Sequence, residues 1–173
     1  MGKFIPLNIH SHYSLLNALP KIPELVAEAK KYGLPALALT DNGNLYGAIE
    51  FYKECKSEGI KPIIGVDFYV AARTRHDKEA HIDNQRSRLV LLAENEEGYK
   101  NLLKLVTASY LEGFYYKPRI DRELLEKYHD GLIAIAKEEE YYKEIFKDSF
   151  FLDSSLAIYD VYYLEPEDKD VRE

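Results

Sequence analysis

A chain of 173 residues, 46% hydrophobic and 31% charged, fits one soluble globular domain with room for a real core. Its formal net charge of −7 argues against a general nucleic-acid-binding surface, because phosphate contacts need clustered Lys and Arg. No stretch approaches the roughly 18 apolar residues of a membrane span, and Met1-Gly2-Lys3-Phe4-Ile5-Pro6 lacks the apolar core of a signal peptide. The single cysteine, Cys55, excludes an internal disulfide framework and predicts a reducing, cytoplasmic setting.

Phe4 to Ile9 reads as a first strand running into His10-Ser11-His12-Tyr13-Ser14. Ile22, Leu25, Val26 and Ala29 recur at helical spacing, with Pro23 in the first turn and Gly33 as the stop. Ala36 to Leu39 is a short, wholly apolar run ending at Thr40-Asp41-Asn42-Gly43, the pattern of a buried parallel strand. Leu45, Ala48, Ile49, Tyr52 and Cys55 predict the core face of a second helix ended by Gly59, and residues from Lys61 to Val70 the next strand. Strand–helix alternation of this kind predicts βαβ units.

The polar stretch from Ala72 to Ser87 reads as a solvated loop. Leu89 to Ala93 is strand-like. Asn95 caps the following helix, for which Tyr99, Leu102, Leu103, Val106 and Tyr110 form the expected core face. Asp121 caps a shorter helix through Leu124, Leu125 and Tyr128, and Leu132 to Ala136 is again a strand. Beyond it come a helix candidate from Lys137 to Lys147, short strands at Phe150 to Leu152 and Leu156 to Tyr159, and a charged end.

In an α/β fold the carboxyl ends of the strands meet at one rim, where ligands and metals gather. His10, His12, Asp41, Asp67 and Asp160 fall at such positions, a donor set suited to a hydrolytic divalent-metal site. Taken one at a time, each is as well explained as a hydrogen-bonding turn residue. No G-x-x-x-x-G-K-[ST], G-x-G-x-x-G or G-x-S-x-G motif is present, and Cys55 sits on an apolar helix face as a small core residue.

Three stretches carry a resemblance: Ile9-His10-Ser11-His12-Tyr13-Ser14-Leu15-Leu16, Ala38 to Tyr52, and Ile60-Lys61-Pro62-Ile63-Ile64-Gly65. With Tyr110 to Asp121 and Asp160 to Asp168, the sequence resembles the N-terminal PHP (polymerase and histidinol phosphatase) domains of bacterial DNA polymerase III alpha subunits. The match is nearly continuous over 1–136, with 137–173 reading as a shortened barrel end and charged exit from the same domain. The resemblance implies an α/β fold, a truncated or distorted β/α barrel of mostly parallel strands with surrounding helices. It also implies a metal cluster at the strand ends that hydrolyses phosphoesters in intact members, including 3′–5′ exonuclease proofreading in some.

Against that pattern the ligands are depleted. The family's paired histidines near the first strand align with Asn8 and His10, and Asn17 stands where a further ligand falls. Asn42 replaces a His, Asp67 a Glu, Arg88 a His and Tyr162 a His, while Lys137-Glu138-Glu139 stands where a Ser-Gly-Cys-like turn belongs. The carried-over metal positions shrink to His10, Asp67 and Asp160, with Asp41, Asn42 and Asn8 as turn or supporting groups and no catalytic residue. The expectation is a non-catalytic structural domain without a cofactor, binding zinc or manganese weakly if at all. It would act with the rest of a polymerase alpha subunit in cis, and with a docked proofreading exonuclease or other replisome subunit, away from membranes and without strong nucleic-acid binding of its own. The alternative is a working metal-dependent phosphoesterase or 3′–5′ exonuclease in which His12, His76 or His81 makes up the ligand set.

Overall fold

The computed structural model describes residues 5–137, 141–156 and 161–164. Helix α1 (Ile22–Lys31) opens with Glu24 accepting from the Lys21 amide and buries Ile22, Leu25, Val26 and Ala29, the stripe its spacing dictates. Strand β1 (Ala36–Leu39) is buried at every position. Helix α2 (Ala48–Glu58) ends on left-handed Gly59, and strand β2 (Lys61–Ala71) follows. Strand β3 (Arg86–Ala93), helix α3 (Glu96–Leu111), the two-residue β4 (Arg119–Ile120), α4 (Arg122–Tyr128) and β5 (Leu132–Ala136) complete the well-patterned part. Then come α5 (Tyr142–Phe146), a 3₁₀ turn, β6 (Phe150–Leu152) and α6 (Asp153–Leu156).

The strands form one sheet in the order β1-β2-β3-β5-β6, with β4 beside β2. β1–β2, β2–β4 and β5–β6 are parallel, whereas β3 runs antiparallel to both β2 and β5. The arrangement is a mixed α/β sheet, parallel in three of its five pairings. Among the described residues, the first predicted strand is reduced to an isolated bridge at Ile9. Ile9 bridges Val161 in parallel and accepts from the Thr40 amide at 2.8 Å, which places it next to the end of β1. Leu156, predicted to start a strand, ends α6, and the rest of that predicted strand lies outside the described residues. The helix expected from Lys137 to Lys147 is confined to α5 among the described residues.

Two helices turn different faces inward from those their spacing predicts. In α2 the buried residues are Ala48, Phe51 and Cys55, leaving Ile49 and Tyr52 exposed. In α3 they are Gly98, Asn101, Leu102, Leu105 and Ser109, and Leu103 is exposed. The cause in α3 is a backbone contact. A Cβ on Gly98 would sit 1.8 Å from the Gly131 carbonyl oxygen, and Asn101 Nδ2 donates to the Asp130 carbonyl at 2.9 Å. Small and polar residues therefore dock on the turn before β5, and the apolar stripe rotates to follow.

The loop from Ala72 to Gln85 is pinned rather than solvated. Arg119 is fully buried and donates to four backbone carbonyls, those of Gly113, Asp83, Arg75 and Asp77, at 2.9–3.0 Å. Burial pulls the pKa of Arg119 below its ordinary value, and Asp83 opposes that fall. Asp83 is itself fully buried and accepts from Arg73 and the Glu79 amide. The excursion takes the place of a crossover helix and thereby permits the antiparallel step from β2 to β3. No helix among the described residues is long and apolar enough to cross a membrane.

Candidate functional site

The ends of β1 and β2 and the first loop converge on a buried polar cluster. Asp41, just past β1, accepts from the Ser11 amide at 2.7 Å, the Ser11 hydroxyl at 2.7 Å and the Ser14 hydroxyl at 2.6 Å. Burial raises the Asp41 pKa, and the Ser14 and Ser11 donors oppose the rise. With both oxygens engaged by the 11–14 loop, Asp41 holds that loop to the rim. Asn8 accepts from the Thr40 hydroxyl at 2.8 Å, and Asn44 fastens the turn through the carbonyls of Tyr13 and Asn42, each at 3.1 Å. Gly43 adopts φ +65°, and a Cβ there would meet Pro118 Cγ at 3.0 Å, so the turn needs glycine for backbone and for space.

Three strands meet around one guanidinium. Asn42 and Asp67 are parallel bridge partners, and Tyr69 lies directly opposite Arg88 in the β2–β3 register. Asp67 and Tyr69 share a face, so Arg88 is one diagonal step from Asp67. Its Nε donates to Asp67 Oδ1 at 2.8 Å, and its Nη2 contacts both Asp67 Oδ2 and Asn42 Oδ1. The guanidinium lies 4.3 Å from the Tyr69 ring centroid. Burial works against the charged form of Arg88, but the Asp67 carboxylate outweighs it and holds the pKa above its ordinary value.

His10 is fully buried, stacked on Tyr162 with ring centroids 4.1 Å apart and 6° between planes, and its Nε2 is 3.8 Å from Asp67 Oδ2. The structure thus brings together His10, Asp67, Asn42 and Arg88. Asp41 and Asn8 stand behind them as hydrogen-bonding supports. Asp160 lies outside the described residues. Of the alternative ligands, His12 lies against Tyr13 with ring centroids 4.2 Å apart and the planes tilted by 36°. His76 lies 4.0 Å from Glu112, and His81 is exposed on the 72–85 loop. The position of Arg88 was visible in the sequence as a cation where the resemblance places a His; its grip on Asp67 and Asn42 required the β2–β3 register. Beside Asn42 opens a cleft of about 240 Å³ whose lining mixes aromatic rings, among them Tyr46, Tyr69, Tyr110 and Phe114, with polar side chains such as Asn17 and Lys117.

Residues 6–155 match the PHP domain family. The chain belongs to the PHP domain family. It is 44% identical to the DNA polymerase III subunit alpha of Chlamydia pneumoniae over 176 residues, covering 88% of this chain and 14% of that protein. Against the subunit from Borreliella burgdorferi the identity is 54% over 134 residues, covering 77% of this chain and 12% of that protein. Against the Aquifex aeolicus subunit it is 38% over 217 residues, covering 96% of this chain and 19% of that protein. This PHP domain spans less than a fifth of each of those relatives. The Aquifex match runs over more positions than the 173 residues of this chain, so it includes positions of that subunit with no counterpart here.

A divalent metal fits the described donor set poorly. No group of three or more His, Cys, Asp or Glu side chains suited to holding a metal ion is found among the described residues. The Asp67 carboxylate already meets a cation on both oxygens. A metal ion there would face a second positive charge at contact distance, and Asn42 offers only a neutral amide oxygen.

Proposed function

We propose that this PHP domain is a non-catalytic structural part of a replicative DNA polymerase III alpha subunit. It would brace the polymerase core in cis or seat a proofreading exonuclease. Nucleotidyl transfer would then belong to the rest of that subunit. The observation that carries the reading is the Arg88 guanidinium on both oxygens of Asp67, the carboxylate that a phosphoester-cleaving metal would need. Membership of the family and the similarity to the alpha subunits support the placement in a polymerase.

The test is elemental analysis of the chain purified without chelator, followed by a phosphodiesterase assay on single-stranded DNA with added manganese. The expected result is no stoichiometric metal and no turnover. Tight metal together with hydrolysis would make the domain a working phosphoesterase instead.

A further inference from the structure

We propose that the cleft beside Asn42 is a docking pit for an acidic segment of a separate protein chain. The segment seats one large apolar side chain among the rings and sets its carboxylates against Arg86 and Lys117. The inference rests on the non-catalytic reading above and deepens it by giving the chemistry of the partner.

Charge picks out the place. In a chain of net charge −7, three cations converge on one tyrosine. The Arg86 and Arg88 guanidiniums and the Lys117 ammonium lie 5.7, 4.3 and 5.8 Å from the Tyr69 ring centroid. The register explains the gathering. Arg88 is opposite Tyr69, Arg86 stands two residues along the same face of β3, and Lys117 leads into β4, whose Arg119 pairs with Tyr69. Arg88 is engaged by Asp67 and Asn42. Arg86 donates to the Asn84 carbonyl at 2.8 Å, and among the described residues neither it nor Lys117 is ion-paired with a carboxylate. Two half-buried positive charges therefore remain for an outside anion.

The apolar part of the site is held in water by its backbone. Leu15 on the cleft wall is 71% exposed and the adjoining Leu16 is 99% exposed. Leu16 at φ +63° and Tyr116, also on the wall, at φ +59° occupy the left-handed region that bulky side chains rarely adopt. Such placements concentrate where a chain binds something. The volume of about 240 Å³ falls below the roughly 300–1,000 Å³ of small-molecule sites and suits a single anchoring side chain. A nucleic-acid strand, the other anionic occupant, fits less well. The unpaired cations stand at one point and not along a track, and Leu15 gives a base no ring to stack on. A domain-sized contact spreads over many residues, whereas one pit flanked by cations matches recognition of a short segment through an anchor.

Selection of a random-peptide phage library on the full 173-residue chain, followed by fluorescence titration of the enriched peptides, tests this. The enriched peptides should share an aromatic residue or leucine beside Asp or Glu. Their Kd should rise roughly tenfold or more in Lys117→Glu, in Arg86→Glu and in Phe114→Ala. Lys61→Glu, at the far end of β2, should bind as wild type does. No enrichment, enrichment of basic or uncharged peptides, or binding indifferent to all three variants overturns the proposal. Should Lys117→Glu melt lower than wild type, Lys117→Gln decides: it should weaken binding to a smaller degree, and wild-type affinity there counts against the charge. Oligothymidylate bound more tightly than the peptides would reassign the cleft to a nucleic acid. Self-association in sedimentation that Phe114→Ala abolishes would reassign it to a second copy of the chain. Peptides that bind this chain but not the full-length subunit carrying it would show a cleft covered in cis. Each of those three results overturns the proposal as well. Its failure leaves the metal and hydrolysis measurements untouched, whereas hydrolysis by the wild type would sink the non-catalytic reading with peptide binding intact.

Discussion

Asp121 holds Arg75 with the same carboxylate that caps α4. Its Oδ1 accepts from the Leu124 amide at 3.2 Å, while Arg75 Nη1 lies 3.0 Å from each Asp121 oxygen and the Arg75 amide donates to Oδ2 at 3.0 Å. One side chain therefore fixes a helix start and anchors the long 72–85 loop. The two roles separate by substitution. Asp121→Asn keeps a cap oxygen but loses the ion pair; Asp121→Ala loses both. Stability should fall in the order wild type, Asn, Ala, with Ala costing about 2–3 kcal/mol. Urea midpoints would measure the order, and limited proteolysis should cut the loop sooner in both variants. Equal midpoints for Asn and Ala would mean that the cap contributes nothing.

Asp121 also marks what a sequence can and cannot disclose. Its capping role is written locally, an Asp just before an apolar-periodic run, as is that of Asn95, whose side chain accepts from the Gly98 amide at 3.0 Å. The strands at β1, β2 and β5 are equally local, since short apolar runs bounded by turn residues announce themselves. Arg75, by contrast, sits in a stretch whose composition looks solvated, and its partners Glu112, Asp121 and Glu123 are 37 or more positions away. The inward faces of α2 and α3 escaped for a related reason. Periodicity reports where apolar residues lie, not where a glycine lets two backbones touch. At the rim, substitution of one ligand type by another was legible residue by residue. That Arg88 would fill the position, and not merely spoil it, depends on the diagonal placement of Arg88 and Asp67 across two strands.

Acid stability should report the loop anchor. Arg73 hydrogen bonding, against the opposing effect of burial, holds the Asp83 carboxyl down at about 2. A depressed folded pKa gives stability that is present above the ordinary carboxylate range of about 3.9. That stability is lost as pH falls through the folded value of about 2. Wild-type melting temperature should therefore drop as the medium is acidified from about pH 5 to about pH 2, and Asp83→Asn should start lower and drop less over the same interval. Parallel profiles for the two proteins would assign the acid sensitivity to other carboxylates.

At the rim itself, Asp41 is the residue whose loss should loosen the first loop without touching the Arg88 centre. It takes three hydrogen bonds from Ser11 and Ser14, and Ser14 Oγ in turn accepts from the Asn42 amide at 3.0 Å. Asp41→Ala strands a buried amide and two hydroxyls, a loss of about 2–3 kcal/mol, or roughly 4–12 °C in melting temperature for a chain of this size. Because burial raises the Asp41 pKa above its ordinary value, the stabilising contribution of its ionisation equilibrium is present below the unfolded pKa. It is lost as pH rises through the folded one. The gap between wild type and Asp41→Ala should accordingly be wider in mild acid than at neutral pH. Amide exchange at Ser11 should speed up in the variant, while exchange at Asp67, whose amide donates to the Asp41 backbone carbonyl at 3.2 Å, should stay slow. A variant in which both amides exchange fast would show that the Asp41 side chain supports the whole strand end and not only the 11–14 loop.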